Sequence, residues 1–516
     1  MGTTWWGRAA RGYALAPTRT VVLVAGGLGL ALAASSIAAA GPWQGGQRTA
    51  ERRPGRTAGS PGQDAARASK PQLRAVPAPS WQPVPQVLAP AVGAVDAAAP
   101  LPTGAGLSTA LGGYLGAPAL GQVTASVTDV ATGRSLYAYG GTAPQTPAST
   151  NKIATATAAL TLLGPGHRFT TRVVSTGPGR IVLVGGGDPT LTAAATGGSD
   201  PQASLATLAD RTAAALKAEG ASTVRLGYDT ALFTGSPLHP IGVNDNIALV
   251  QALTVDEGRL DPSSTEDAPR YADPAATAAG DFAALLTARG VTVQGSPALT
   301  TLPTATAPAT ASAEDAAAPA TAPSATAAVP LAEVQSQPLT EIVERMLTDS
   351  DNDIAETLGH QVALAAGQPA TFTGGVTAVL QTLRGLGIQL GGTRLYDSSG
   401  LDTRDAVPAD VLTQLLALDA SPAHPELRPI VLGLPVAGFT GTLGPDVEGF
   451  DSSSGLGVVR AKTGTLSAAN TLAGLVVDRD GRLLAFAFMA NGGGPAATAR
   501  SDLDALAGRV AACGCR

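Results

Sequence analysis

The chain has 516 residues, several times the length of a typical single domain, which excludes one compact globule and requires several folded units or long unfolded segments. Only 14% of the residues are charged and 4% are aromatic, so part of the chain is predicted to be linker. The net charge is -6, but residues 1–80 hold ten Lys/Arg against two Asp/Glu. The rest of the chain is therefore acidic, which argues against nucleic acid as a partner because phosphate contacts need clustered Lys/Arg.

The first forty residues have the pattern of an export signal. Three arginines (Arg8, Arg11 and Arg19) precede an unbroken, weakly polar run over residues 21–40. A basic segment before an apolar run is typical of a signal peptide, and the small residues near Ala40 suit cleavage. The run is also long enough to span a bilayer as an uncleaved anchor. Either interpretation predicts an exported protein that works outside the cytoplasm, in the cell envelope, secreted or anchored by residues 21–40.

Two stretches are predicted to lack regular structure. Residues 41–105 are rich in Pro, Ala, Gly and Arg and are expected to form an extended linker. Residues 301–330 contain Ala, Thr and Pro with almost no large apolar side chain, so burial cannot offset the entropy lost on ordering. We expect a disordered surface loop there.

The pattern between these stretches is that of an ordered α/β protein. Alternating apolar positions predict strands, and apolar residues at helical spacing predict helices. The predicted elements are, in chain order, strands at 123–129 and 136–139, helices at 149–163 and 339–347, strands at 458–463, 472–477 and 483–489, and a helix at 496–512.

The cysteines and histidines predict neither a metal site nor a cofactor. Cys513 and Cys515 are the only cysteines, and they lie too close to the end of the chain to cross-link its body. A disulfide between them would be strained, and a zinc site would need a second pair. The histidines are scattered, with none at metal-ligand spacing from another: His167, His239, His360 and His424.

Three short motifs occur in order along the chain. They are Ser149-Thr150-Asn151-Lys152, Ser350-Asp351-Asn352 and Lys462-Thr463-Gly464-Thr465. Together they match the set S-x-x-K, S-D-N and K-T-G. Each motif alone is a weak signal, but the ordered triple is specific.

The first motif suits a serine nucleophile with a lysine base. Positions i and i+3 of a helix share a face, so Lys152 can place its amine beside the Ser149 hydroxyl. The chain has four lysines against 29 arginines, and two of the four lie in the motifs. The surroundings of a lysine can lower its pKa until it acts as a base, whereas the pKa of an arginine stays too high. The pKa of Lys152 would have to fall by about three units from about 10.4, and a nearby Lys462 would supply part of that shift.

The second and third motifs supply polar groups for a substrate. Ser350 and Asn352 fall at the end of a helical stretch, where a loop can point a hydroxyl and an amide into one cleft. Ser350 would relay the proton of the leaving group, and Asn352 would hold the substrate amide and the lysine. Gly464 leaves room for a substrate backbone beside the predicted strand, and Lys462 with the threonine hydroxyls suits a free carboxylate.

With these motifs the sequence resembles the D-alanyl-D-alanine carboxypeptidase/endopeptidase family, the class C low-molecular-mass penicillin-binding proteins, over residues 106–512. Further matching segments lie at 147–149, 187–191, 350–356, 397–401, 434–438 and 441–443. The resemblance implies an α/β (α+β) fold with a penicillin-binding-protein/β-lactamase-like transpeptidase domain, an antiparallel sheet flanked by helices, and inserted domains between the first and second motifs. It divides the body into a first part at 106–172, an inserted region at 173–329 and a second part at 330–516.

The resemblance also implies a reaction. Ser149 corresponds to the acylated nucleophile, Lys152 to its proton acceptor and Ser350 to the catalytic serine of the second motif. The implied substrate-binding residues are Asn352, Lys462, Thr463, Gly464 and Thr465, with the oxyanion hole formed by the N–H groups of Ser149 and Thr465. The implied chemistry is attack on the D-Ala-D-Ala bond of a peptidoglycan stem peptide, release of D-alanine and hydrolysis of the acyl-enzyme. Endopeptidase cleavage of cross-links is equally compatible.

The resemblance implies inhibitors and an attachment as well. β-Lactams would acylate the same serine, and the N-terminus would tether the protein to membrane or cell wall.

Two alternatives remain open. A class A β-lactamase or a serine esterase would share the nucleophile, but class A enzymes deacylate with a glutamate between the second and third motifs, and no Glu in that interval is followed four residues later by Asn. A non-catalytic, penicillin-binding scaffold of the cell wall would explain the long linker. Turnover of a β-lactam would favour the first alternative, and an unlabelled Ser149 would favour the second.

Overall fold

The structure is a computed structural model that describes residues 99–197, 201–264, 267–302 and 328–515. The predicted export signal, most of the predicted linker and most of the 301–330 tract lie outside the described residues. Within the described ranges, no helix combines the length and the apolar character needed to cross a bilayer.

The first of two sheets contains the third motif, residues 462–465. Its five strands are β1 (Gln122–Asp129), β2 (Ser135–Tyr139), β9 (Val459–Leu466), β10 (Ala469–Val477) and β11 (Leu483–Asn491). They are antiparallel and lie in the order β2-β1-β11-β10-β9. The central strands are almost continuously apolar because both faces of the sheet are covered.

Helices cover both faces of this sheet. One face packs against a helical layer built from α2 (Lys152–Leu163), α5 (Leu339–Thr348), α6 (Asn352–Ala365), α7 (Phe372–Gly385), α8 (Ala409–Asp419) and α9 (Arg428–Gly433). The opposite face packs against α1 (Gly104–Leu115) and α10 (Ala496–Ala511). The predicted antiparallel sheet flanked by helices is confirmed.

The predicted elements of this domain are confirmed to within a few residues, with one informative difference. The chain enters α2 through a 3-10 turn over Ala148–Asn151, so Ser149 precedes the α-helix instead of beginning it. Ala148 has a positive φ of 48°, which is incompatible with a continuous right-handed helix. The bend lies directly before the serine, and the backbone N–H of Lys152 still donates to the backbone oxygen of Ser149.

The second sheet is built by the chain between the first two motifs. Its elements are β3 (Thr170–Gly177), β4 (Arg180–Val184), α3 (Leu205–Ala218), β5 (Thr223–Asp229), α4 (Pro274–Ala288), β6 (Thr292–Val293), β7 (Ala298–Leu299) and β8 (Val329–Gln335). The strands lie in the order β6-β5-β4-β3-β8, with the short strand β7 paired to β5. This sheet mixes parallel and antiparallel pairs and buries its core against α3 and α4. It spans residues 170–335, slightly wider than the predicted insertion at 173–329.

The ends of the Ala/Thr/Pro tract differ from the expected disordered loop. The N–H of Leu302 donates to Asp229 Oδ2 at 2.8 Å. At the other end, Val329 and Pro330 already belong to β8 and pair with β3. A proline is tolerated there because β8 is an edge strand. The expectation of disorder is therefore wrong at these two ends, and residues 303–327 lie outside the described part of the chain.

The two cysteines lie in the irregular segment after α10. The structure pairs Cys513 with Cys515 in a disulfide, with Cα atoms 4.9 Å apart. The bridge joins residues two positions apart, so it does not cross-link the body of the chain, as expected from their place near its end.

A buried ion pair ties β1 to the turn before β11. Arg482 Nε lies 2.5 Å from Asp129 Oδ1, and Arg482 Nη2 lies 2.6 Å from Oδ2. Both side chains are buried. Burial raises the pKa of Asp129, but the Arg482 guanidinium and the Thr132 hydroxyl outweigh it and hold that pKa below its usual value.

Replacing Arg482 by Met is expected to lower the free energy of unfolding by about 3–5 kcal/mol, because Asp129 would remain buried without its counter-charge. Urea unfolding followed by circular dichroism measures the change. Arg134→Met, at an exposed position after β1, is the matched control and should change the free energy of unfolding by less than about 0.5 kcal/mol. An Arg482→Met protein as stable as that control would contradict the assigned role of the pair.

Candidate active site

The first motif places its lysine directly behind its serine. Lys152 Nζ donates to Ser149 Oγ at 2.9 Å, as the i, i+3 spacing predicted. The lysine side chain is fully buried, whereas Ser149 is partly exposed to the cleft. The hydroxyl is therefore open to a substrate while the amine is shielded from water.

Two further acceptors fix the amine of Lys152. They are Asn352 Oδ1 at 2.7 Å and the backbone oxygen of Ser399 at 2.9 Å. Burial lowers the pKa of Lys152 to about 8, against the opposing pull of nearby carboxylates, of which Asp397 has the largest effect. The sequence attributed part of this shift to Lys462, but desolvation is the main cause. A lysine with this pKa is neutral often enough near pH 7 to accept a proton.

The second motif lies in the loop between α5 and α6. Ser350 adopts a positive φ of 62°, a conformation that is strained for a residue with a side chain. Its hydroxyl accepts a hydrogen bond from Lys462 Nζ at 2.8 Å. Asn352 is the first residue of α6, and its Nδ2 donates to the backbone oxygen of Asn246 at 3.1 Å. The amide of Asn352 therefore contacts both the catalytic lysine and the region inserted between the motifs.

The third motif occupies the edge strand β9. Lys462 is fully buried, and its amine also donates to the backbone oxygen of Thr463 at 2.9 Å. Burial and the charge of Lys152 hold the pKa of Lys462 well below its usual value. Thr463 Oγ1 donates to Thr442 Oγ1 at 2.8 Å, whereas Thr465 Oγ1 is buried with no hydrogen-bond partner among the described residues.

Gly464 lets β9 run against the turn that carries the serine. A Cβ on Gly464 would lie 2.8 Å from the backbone oxygen of Pro147 and would also meet Thr471 Oγ1. The glycine is thus required by the protein's own packing, in addition to the room for substrate that the sequence suggested. Thr471 Oγ1 donates to the same Pro147 oxygen at 2.7 Å and locks strand and turn together.

Replacing Gly464 by Ala is expected to lower the rate of acylation about 100-fold, because the added methyl would displace β9 from the Ser149 turn, and small misplacements of catalytic groups have effects of this size. The rate of covalent labelling by a fluorescent penicillin measures the change. Gly112→Ala, on the exposed side of α1 with open space around its Cα, should label at the unmodified rate. A Gly464→Ala protein that matched this control would show that the close approach is unimportant.

All eight predicted site residues therefore lie together. One chain of hydrogen bonds joins Ser149, Lys152 and Asn352, and a second joins Ser350 to Lys462. Thr463, Gly464 and Thr465 follow Lys462 along the same strand. Their coming together from three distant segments is what the ordered triple of motifs predicted.

The sequence missed the groups behind the lysine. Glu356 and Asp397 lie within segments that match the family, but no role was assigned to them. His239 was set aside as one of four scattered histidines. The structure places its Nε2 3.4 Å from a carboxylate oxygen of each. Nothing in the local sequence marks this contact, because it joins three segments more than forty residues apart.

Two buried groups of side chains have atoms close enough together to hold a metal ion. They are His239 with Glu356 and Asp397, and Glu257 with Asp351 and Asp353. Every one of these carboxylates already accepts a hydrogen bond from an N–H group. In the first group, Glu356 accepts from Ser398 and Ser399, and Asp397 accepts from Gly400 and Asp402. In the second group, Glu257 accepts from Arg259 and Arg345, Asp351 from Ile354, and Asp353 from Ala248 and Arg270. Oxygens occupied by such donors are poor ligands for a cation, so these residues are better described as ion-pair and hydrogen-bond networks.

Comparison with known proteins places the chain among peptidases. The model of the D-Ala-D-Ala carboxypeptidase 3 (S13) family matches residues 107–296 and 269–512. Carboxypeptidase DacB of Mycolicibacterium smegmatis is 38% identical over 442 residues, which cover 84% of this chain and 90% of that protein. The D-alanyl-D-alanine carboxypeptidase of Actinomadura sp. is 32% identical over 464 residues, covering 75% of this chain and 80% of that protein.

A solved structure shares the fold. Penicillin-binding protein 4 from Haemophilus influenzae superposes with a TM-score of 0.60 at 22% identity, covering 78% of this chain and 97% of that one. The predicted penicillin-binding-protein type of fold is thereby confirmed. The family model matches most of the folded body, and two relatives are more than 30% identical along most of their length. The chain therefore belongs to the D-Ala-D-Ala carboxypeptidase 3 (S13) family.

Proposed function

We propose that the protein is a serine-type D-Ala-D-Ala carboxypeptidase that acts on peptidoglycan stem peptides through an acyl-enzyme on Ser149. The observation that carries the proposal is the buried amine of Lys152, 2.9 Å from the Ser149 hydroxyl. Relatives named D-alanyl-D-alanine carboxypeptidase support the choice of substrate.

In the acylation step, Ser149 Oγ forms a bond to the carbonyl carbon of the penultimate D-alanine while its proton passes to neutral Lys152. The lowered pKa of that lysine, about 8, suits it to this task. The charge on the carbonyl oxygen would be received by the backbone N–H groups of Ser149 and Thr465. Such donors contribute about 3–4 kcal/mol each to stabilisation of the transition state.

Expulsion of the leaving group needs a proton on the nitrogen of the terminal D-alanine. Ser350 Oγ would donate it as the C–N bond breaks, and Lys462, hydrogen-bonded to that hydroxyl, would replace it. Free D-alanine then leaves. Water next attacks the ester carbonyl and the C–O bond to Ser149 breaks. Ser149 Oγ takes back the proton that Lys152 accepted, and the proton lost by the attacking water replaces the one that Lys462 gave up.

The polar groups of β9 suit the free carboxylate at the end of the stem peptide. Lys462 and the hydroxyls of Thr463 and Thr465 lie on one short stretch of strand. The negative charge of a bound carboxylate would favour the cationic form of Lys462, against the burial that lowers its pKa in the free protein. The buried Thr465 hydroxyl, which has no partner among the described residues, supports this assignment because a polar group left alone is costly. The amide of Asn352 would hold the peptide on the other side of the serine.

β-Lactams should act as inhibitors by acylating the same serine. Penicillin-binding protein 4 from Haemophilus influenzae, which shares the fold, has been crystallised in complex with a β-lactam. Endopeptidase cleavage of cross-links uses the same acyl-enzyme with a larger leaving group and is included in the proposal.

The test is the mass of the intact protein after exposure to benzylpenicillin, with D-alanine release followed on a diacyl-D-Ala-D-Ala peptide. A long-lived adduct together with D-alanine release supports a penicillin-sensitive carboxypeptidase. An adduct that disappears rapidly identifies a β-lactamase, and the absence of both adduct and D-alanine release identifies a non-catalytic scaffold.

We further propose that the protein is exported and works in the cell envelope, where peptidoglycan is found. The basic residues and the apolar run of residues 1–40 support this proposal. Fractionation of cells expressing the full chain tests it, since recovery in the cytoplasmic fraction alone would overturn it.

A further inference from the structure

A histidine from the inserted region lies directly behind the catalytic lysine. His239 belongs to the segment between β5 and α4 and is only 2% exposed. Its Nε2 lies 3.4 Å from Glu356 Oε1 and 3.4 Å from Asp397 Oδ2. These separations are long for hydrogen bonds, so the contacts act mainly as charge interactions of one ring with two carboxylates.

The two carboxylates hold a loop in place. Glu356 Oε1 accepts from the N–H groups of Ser398 and Ser399, at 3.0 and 2.7 Å. The Asp397 carboxylate accepts from the N–H groups of Gly400 and Asp402, both at 2.6 Å. Four backbone N–H groups within residues 398–402 thus bind two buried carboxylates. The conformation of the loop at residues 397–402 depends on these hydrogen bonds.

That loop supplies an acceptor for the catalytic lysine. The backbone oxygen of Ser399 lies 2.9 Å from Lys152 Nζ, and the backbone oxygen of Ser398 accepts from Thr155 Oγ1 at 2.6 Å, one turn further along α2. A continuous set of contacts therefore runs from His239 through Glu356 and Asp397 to the amine that activates Ser149.

We propose that His239 is a positioning residue for Lys152: it holds the Glu356 and Asp397 carboxylates that fix the loop under the lysine, and its positive charge offsets theirs. The proposal rests on the proposed function, in which Lys152 is the base. It assigns the inserted region a part in the chemistry of the catalytic domain.

The groups around the ring favour its charged form. Burial opposes protonation, but the Asp397 and Glu356 carboxylates outweigh it and raise the pKa of His239 to about 9. The N–H of Ile241 donates to Nδ1 at 3.3 Å, a long contact that by itself favours an unprotonated Nδ1. His360, packed nearby, has its pKa lowered by burial and stays neutral. Burial and Asp397 raise the pKa of Asp405 to about 10, so Asp405 is also uncharged.

The groups around Lys152 show what this charge does. Four carboxylates pull its pKa upward: Asp397 on the loop, Asp351 immediately before α6, and Glu356 and Asp353 within α6. Asp353 is paired with Arg270, and Lys462 on β9 is the nearby lysine. His239 is the cation in contact with both Asp397 and Glu356. Without it, their pull on Lys152 would increase and its pKa would rise.

The experiment compares the pH dependence of acylation by benzylpenicillin in the full chain, in His239→Gln and in Glu356→Gln. Acylation needs neutral Lys152, so its rate rises with pH through the pKa of that lysine. Glutamine at position 239 keeps an N–H donor but carries no charge. We expect the midpoint of the rise to move upward by about one pH unit, with a loss of rate of about tenfold at pH 7 that is recovered at high pH.

Glu356→Gln removes one of the negative charges and keeps an oxygen acceptor for the loop, so its midpoint should move downward. If His239→Gln does not fold, a midpoint that stays in place in Glu356→Gln alone would overturn the inference. His424→Gln is the matched control, since His424 is a partly exposed surface histidine paired with Glu426 at 2.9 Å, and it should leave the profile unchanged.

A rate that falls equally at every pH, or a midpoint that stays in place in both variants, overturns the inference. If the unmodified protein is not acylated at all, the proposed function fails instead, so the two failures are distinguishable.

Discussion

Purified protein carrying Ser149→Ala is expected to form no covalent adduct with benzylpenicillin and to release no D-alanine from a diacyl-D-Ala-D-Ala peptide. In the proposed mechanism Ser149 Oγ is the nucleophile, and alanine offers no atom that can form the ester. The fold should persist, because Lys152 keeps its hydrogen bonds to Asn352 and to the Ser399 carbonyl when the hydroxyl is lost. Intact mass spectrometry detects the adduct, and thermal unfolding checks the fold.

Ser108→Ala is the matched control for this experiment. Ser108 lies on the exposed face of α1, away from the three motifs, and its loss should leave both the adduct and the release of D-alanine unchanged. An adduct on the Ser149→Ala protein would place the nucleophile elsewhere and would contradict the assignment of the whole site.

The catalytic residues could be predicted because their contacts follow from local spacing and from one specific set of motifs. Ser149 and Lys152 meet because they lie three residues apart in helical conformation. The short apolar runs of β10 and β11, with the turn at Asp480 and Gly481 between them, likewise identify a hairpin without knowledge of the rest of the chain.

Apart from the predicted contact with Asn352, the environment of the lysine could not be predicted, because its parts are distant in sequence and have ordinary local patterns. The carbonyl that binds Lys152 belongs to Ser399, 247 residues away. A backbone oxygen carries no side-chain signal, so no reading of residue types could select it. His239 is similarly inconspicuous, since its partners lie on a helix and a loop that only the fold brings beside it.

The sequence also located the inserted region without predicting its sheet. The resemblance to the family implied an insertion between the first two motifs, but the pairing of β3 with both β4 and β8 joins residues from its two ends. Such pairing depends on contacts between residues far apart in the sequence. The alternation of apolar and polar residues within one strand does not identify its partner strand. The predicted limits of the insertion therefore fall a few residues inside the strands that close its sheet.

Replacing Lys152 by Ala is expected to lower the rate of acylation of Ser149 by 10²- to 10⁴-fold, the usual contribution of a general base. The residual rate would come from substrate binding and the oxyanion hole. The pH dependence supplies a second measurement: because burial lowers the pKa of Lys152 to about 8, the unmodified protein should acylate faster as pH rises toward that value and level off above it. The Lys152→Ala protein should lack this rise.

Two further variants separate the charge of the lysine from its role as a base. Lys152→Arg keeps a cation but should not restore the rate, because a guanidinium does not lose its proton near neutral pH. Lys217→Met, at an exposed lysine near the end of α3, is the matched control and should acylate at the unmodified rate. Full activity in Lys152→Ala or in Lys152→Arg would show that another group accepts the proton of Ser149. The nearest alternative would then be Lys462, whose pKa is also strongly lowered and whose amine already contacts the hydroxyl of Ser350.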